Sequence, residues 1–170
     1  MTRTVQQFQL DIEDEQEHNH RRPNVEEFLI KRLVFLGSAE SWIEQEERRR
    51  IFWLTFLMDR FCSIATGWDV SLASSDITRR LPCHGPLWLE DQGVASPTPF
   101  FGANQLGTLA ASRSGEKHPS IGGLAYRVEA TENLSLVSMF FLKHPVNVGT
   151  VQDGQIWMMR FKELDLRLAR

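Results

Sequence analysis

The stretch from Ile51 to Ile64 constrains the fold more than any other, because its apolar residues do not keep to one side. Ile51, Phe52, Trp53, Leu54, Phe56, Leu57, Met58, Phe61 and Ile64 cover nearly the whole circumference of a helix. A helix of that composition is expected to be surrounded by other helices. The pattern extends back to Ser41 and forward to Thr66, and Gly67 suits the left-handed turn that closes a helix. In the first half, Glu44 precedes Arg48 and Glu46 precedes Arg50 by four residues, an order that stabilises a helix by ~0.2–0.5 kcal/mol per pair. The chain is therefore read as all-α, an irregular helical bundle with one long central helix and long ordered loops.

The remaining segments fit around that helix. Residues 11–22, DIEDEQEHNHRR, have too little apolar area to offset the entropy of ordering, so residues 1–22 read as a mobile N-terminal segment or linker. Residues 23–170 then form the helical region. Val25, Phe28, Leu29, Leu33 and Leu36 fit a helical face, although 33–36 also suits a short extended run. After Gly67, Pro82, Gly85 and Pro86 among small polar residues indicate an ordered loop, and 93–119 a second one, most flexible near Ser112 to His118. Tyr126, Ala130, Leu134, Val137 and Phe141 predict a helix over 124–143 that Pro145 stops. Trp157, Phe161, Leu164 and Leu168 predict a last helix without a terminating residue, as in an incomplete domain.

Bulk properties exclude several classes. A chain of 170 residues with 42% hydrophobic content is sized for one domain. A formal charge of −3 lacks the basic excess of nucleic-acid binders, so this chain is not expected to touch DNA itself. No apolar run approaches the ~20 residues of a membrane helix, so no membrane contact is expected. The opening residues lack a secretory pattern, and Cys62 and Cys83 read as free thiols in an intracellular protein.

No complete catalytic or metal site emerges. Cys62, Cys83 and His84 with His18 or His20 form the one candidate ligand set, without the tight repeated spacing of zinc sites. There is no G-x-S-x-G turn, and Glu46 and Glu47, adjacent on a helix, point about 100° apart and read as a solvated, salt-bridged face. Gly122 and Gly123 at a helix start offer a weak anion-binding pattern beside the plainer reading of a flexible helix entry. Asp59 and Arg60 fall within the apolar half of the long helix, and a buried Arg60 requires a carboxylate or several carbonyls, with Asp76 the expected partner. A ligand pocket around Arg60 is the functional alternative.

Glu46 to Arg60, EERRRIFWLTFLMDR, followed by Cys62-Ser63, Thr66-Gly67, Asp76-Ile77 and Arg80-Leu81-Pro82-Cys83, resembles the middle homology region of fungal zinc binuclear cluster transcription factors. The likeness continues more loosely through residues 122–136 and 160–168, and the opening residues are similar to an internal stretch of such proteins. The resemblance implies a truncated, all-helical regulatory region and a nuclear location. DNA binding and zinc would belong to a cluster of six cysteines elsewhere in the parent family, and no cofactor is expected in this chain. Partners would be other proteins or other parts of the regulator, with a small effector possible.

The expected function is transcription regulation by helix packing, intramolecular restraint or effector response, without enzymatic activity. Glu46, Arg50, Trp53, Asp59, Arg60, Gly67, Asp76, Leu81 and Pro82 are the expected framework residues. The alternative is a small helical ligand-binding protein or enzyme with its pocket around Arg60. An all-apolar helix deprived of neighbours would also make the isolated chain poorly soluble.

Overall fold

The computed structural model describes residues 2–13, 36–91, 97–102, 120–142 and 150–168. Five α-helices lie in them: α1 (Thr2–Gln7), α2 (Trp42–Thr66), α3 (Gly85–Leu89), α4 (Gly123–Val137) and α5 (Val151–Leu168). A 3-10 turn spans Ser74–Asp76 and a π-helical turn, Ser138–Leu142, continues α4. No strand forms among the described residues, and the all-α reading holds.

The termini of α2 follow from its sequence. Ser41 has an extended backbone, and its hydroxyl accepts from the Glu44 N–H at 3.2 Å, meeting one of the donors a helix start leaves unpaired. At the other end Gly67 adopts φ 75° and donates its N–H to the Ser63 carbonyl at 2.9 Å. Both expected carboxylate–guanidinium pairs form, Glu44 with Arg48 at 2.6 Å and Glu46 with Arg50 at 2.9 Å.

The expected all-round enclosure of α2 does not hold. Arg49, Phe52, Trp53, Phe56, Arg60 and Ser63 are buried along one stripe, whereas Ile51, Leu54, Met58 and Phe61 remain 53 to 65% exposed. Composition records that both faces are apolar, but whether a neighbour covers a face is decided by tertiary packing. On the inner face Trp53 makes edge-on contacts with Phe52, Phe56 and Phe101, centroids 4.9 to 5.3 Å apart. Such pairs add ~0.5–1.5 kcal/mol each beyond area burial.

Facing this stripe, residues 77–84 run extended and take three successive partners. Thr78 pairs with Ile12 in parallel, and Arg80 with Phe100 and Cys83 with Ile121 in antiparallel sense. Their bonds, Glu13 N–H to the Thr78 carbonyl at 3.2 Å, Phe101 N–H to Arg79 at 2.9 Å and His84 N–H to Ser120 at 2.8 Å, satisfy backbone groups that would otherwise be costly to bury. The ordered loop expected after Gly67 is thus ordered by pairing with three distant segments.

The N-terminal segment departs from expectation. Val5 and Leu10 join the core cluster and Glu13 is fully buried, so residues 2–13 pack against the body rather than forming a mobile linker. The shortage of apolar area is offset here by backbone pairing and by ionic contacts to Glu13. Residues 14–22 of the expected linker lie outside the described residues, as do residues 23–35 of the next expected element and the segment from Ser112 to His118.

α4 forms where expected but turns a different face inward. Ala125, Val128, Glu132 and Ser135 are buried, while Tyr126 and Leu134, on the stripe read from periodicity, are more than half exposed. Small residues at Ala125 and Ser135 permit close approach, and Glu132 meets Arg60, so a charge and compact side chains select the face. In α5, Leu164 is buried and Trp157 stacks on Phe161 with centroids 5.4 Å apart.

The two faces of α2 should respond differently to truncation. Phe52→Ala is expected to cost about 3–5 kcal/mol in urea unfolding and Phe61→Ala no more than about 0.5 kcal/mol. Equal losses would restore the enclosed helix.

Candidate functional site

Two ionic clusters lie along the buried face of α2. In the first, Glu46 accepts from Arg49 Nη1 at 2.5 Å, Arg50 Nε at 2.9 Å and the Cys83 N–H at 2.9 Å. Glu13 arrives from the N-terminal segment, pairs with the Arg49 guanidinium and accepts from the Arg80 N–H at 3.1 Å. Arg50 donates to the Cys83 carbonyl at 2.9 Å, and its guanidinium lies 4.5 Å from the centre of the Trp88 ring. Trp53 donates its indole N–H to the Arg80 carbonyl at 2.8 Å, so the largest core side chain is itself tied to the extended run.

Burial works against the charge on Arg49, yet Glu13 and then Glu46 more than offset it and raise its pKa. Burial, followed by the nearby Glu46 carboxylate, pushes the Cys83 thiol up to about 11. Such a thiol is neutral and inert near pH 7.

The second cluster surrounds Arg60. Its Nε donates to Glu132 at 2.8 Å, Nη1 to Asp59 at 3.0 Å, and Nη2 to the Leu72 carbonyl at 2.8 Å and the Ser74 hydroxyl at 2.6 Å. The guanidinium also covers the Phe56 ring at 4.2 Å. Ser74 in turn donates to Glu132 at 2.5 Å, and Asp59 accepts from the N–H groups of Ser71 and Leu72. Four of the five guanidinium N–H donors are engaged within the chain, which leaves little bonding capacity for a ligand.

The structure places the residues singled out from the sequence as follows. Glu46, expected on a solvated face, is instead fully buried and builds the first cluster with Arg50; Asp59 and Arg60 build the second, Trp53, Leu81 and Pro82 are buried, and Gly67 caps α2. Asp76 is exposed, in contact with the Ser75 hydroxyl, and does not meet Arg60. The required carboxylate comes instead from Glu132, 72 residues along the chain, because the 3-10 turn offers Arg60 the Ser74 hydroxyl and α4 supplies the acid. Glu13, Arg49 and Glu132 were not legible as partners. A buried Arg49 could have been suspected from its three-residue spacing to Glu46 and its place on the Phe52–Phe56 stripe.

The metal and anion readings gain no support. Among the described residues no group of three or more His, Cys, Asp or Glu side chains is arranged to hold a metal ion. Cys83 is buried and Cys62 exposed, while His18 and His20 lie outside the described residues. Gly122 is explained by close approach: a Cβ there would sit 2.8 Å from the His84 Cα. No described helix is long and apolar enough to cross a membrane.

Comparison with known proteins connects this framework to a family. The model described as "Fungal specific transcription factor domain" matches residues 10–105, more than half of the chain. That range contains Glu13, all of α2 and the extended run. The chain is also similar to the pigment biosynthesis transcriptional activator pigB of Monascus ruber, 44% identical over 45 residues, 26% of this chain and 8% of that protein. It resembles the tropolone cluster transcription factor tropK of Talaromyces stipitatus at 38% over 52 residues, 31% of this chain and 9% of that protein. A third relative, the ascochitine biosynthesis cluster transcriptional regulator of Didymella fabae, is 30% identical over 47 residues, 28% of this chain and 8% of its own length. Each match thus spans less than a tenth of the relative. No solved structure matches the chain.

Arg60→Ala and Glu132→Ala should each cost about 3–5 kcal/mol in urea unfolding, as expected when one member of a buried pair is removed, and Asp76→Ala about 0.5 kcal/mol or less. The cysteines should separate equally clearly under N-ethylmaleimide at pH 8. Cys62 is expected to react rapidly and Cys83 only at the rate of unfolding. Because the folded Cys83 pKa exceeds its ordinary value of 9.0, the stability it contributes is present below pH 9 and is lost as pH rises towards 11.

Proposed function

The chain belongs to the fungal specific transcription factor domain family, and on that premise we propose that it is a regulatory helical region that acts through protein packing rather than through DNA contact or catalysis. The observation that carries this reading is the overlap between the family match and the ionic framework. Residues 10–105 include Glu13, Glu46, Arg49, Arg50, Asp59, Arg60 and Arg79, which hold distant segments on one face of α2. A framework of closed ion pairs suits a body that positions other segments. It does not suit a reaction, since its charged groups are already satisfied by one another.

DNA contact and zinc belong, in this reading, to parts of the parent regulator outside these residues. The formal charge of −3 and the presence of two cysteines agree with that division. The location is nuclear, where such a regulator works. Its targets are genes of a biosynthetic cluster, a class supported by the pigment, tropolone and ascochitine names of its relatives. The alternative of a ligand pocket around Arg60 is disfavoured because Glu132, Asp59, Leu72 and Ser74 already occupy that guanidinium.

A reporter assay tests the proposal. Placed between a heterologous DNA-binding domain and an acidic activating segment, the chain should lower reporter output severalfold. Disrupting the framework with Arg60→Ala should restore output at equal protein level. Unchanged output from both fusions, or a DNA mobility shift by the chain alone, would contradict it.

A further inference from the structure

Residues 2–13 have the chemistry of a bound peptide. α1 ends at Gln7, Gln9 takes φ 53°, and the following residues run extended beside Thr78. The Asp11 carbonyl accepts from the Thr78 N–H at 3.2 Å, and the Glu13 N–H donates to the Thr78 carbonyl at 3.2 Å. Arg79 Nη1 donates to the Ile12 carbonyl at 2.7 Å. Val5 and Leu10 enter the apolar cluster and Glu13 enters the ionic one, while Arg3, Thr4, Gln6 and Gln7 face outward. Main-chain pairing combined with a few inward anchors is how peptides add to an exposed backbone edge.

The floor beneath the segment favours an acid. Without Glu13, Arg49 and Arg50 would share Glu46 alone, leaving two guanidinium groups against one carboxylate beside apolar walls. α2 and residues 77–84 meet each other independently of the segment, through Glu46 to the Cys83 N–H and Trp53 to the Arg80 carbonyl. The groove therefore has contacts that preserve it when its occupant leaves.

We infer that residues 2–13 are a releasable strap filling a docking groove for an acidic, apolar peptide, anchored by a carboxylate on Arg49. The groove takes peptides with apolar residues spaced as Val5 and Leu10 and an acid placed as Glu13. This assignment goes beyond the regulatory reading and depends on the contacts alone. The resident strap competes as a tethered ligand at high effective concentration, so an added peptide binds the intact chain weakly.

Fluorescence anisotropy with a labelled, C-terminally amidated peptide of residues 2–13 tests the inference on the full chain. A chain carrying Glu13→Ala should bind this peptide at least tenfold more tightly than the wild-type chain, because its own strap competes poorly. A peptide carrying Glu13→Gln should bind that variant chain at least tenfold more weakly than the wild-type peptide does. Equal binding of the wild-type peptide by the two chains, or equal binding of both peptides by the variant, overturns the inference. Loss of the helical circular dichroism signal in the Glu13→Ala chain overturns it too, since the segment would then be an integral part of the core.

Discussion

The buried face of α2 carries charge as well as aromatic rings, and the positions of the other segments depend on how that charge is matched. Glu46, Arg49 and Arg60 alternate with Phe52, Trp53 and Phe56 on one stripe. Desolvating a charge is costly unless a partner is placed against it. Beyond the pairs within α2 itself, partners come from elsewhere in the chain: Glu13 from the N-terminal segment, the Cys83 N–H from the extended run, Ser74 from the 3-10 turn and Glu132 from α4. Apolar packing brings these segments together, and the ion pairs determine which residue of each segment faces α2.

That division explains why buried charge appears in a small domain at all. Hydrophobic contact has little directional preference, so an apolar α2 would accept α4 in several rotations. Arg60 accepts the rotation that presents Glu132, even though it leaves Tyr126 and Leu134 exposed. Specificity gained in this way need not raise net stability, because well-packed apolar replacements often match buried pairs in energy. It does suit a regulatory body, in which a shift of one segment alters a defined set of contacts.

Legibility in the sequence followed the range of the interactions. α2 was readable to within a residue because Ser41, Gly67 and the two Glu–Arg pairs act within a few positions of themselves. The family likeness was readable because it lies in the contiguous run from Glu46 to Cys83. What was not readable was long-range. Periodicity gave α4 its extent but the wrong buried face, since Glu132 counts as polar until Arg60 is known to await it. The acidic run DIEDE looked like a solvated linker because nothing nearby indicated that Glu13 meets Arg49, 36 residues away. The same reasoning chose Asp76 for Arg60 on proximity, where the fold used α4. The exposed outer face of α2 was misjudged as well, because composition cannot show which apolar face acquires a cover.

A double-mutant cycle on Arg60 and Glu132 measures the central coupling directly. With Arg60→Met, Glu132→Gln and the double variant compared in urea unfolding, the account predicts a coupling of at least about 1.5 kcal/mol, the double variant being much less destabilised than the sum of the singles. Additive losses, with a coupling below about 0.3 kcal/mol, would show that the carboxylate does not position α4 on the central helix.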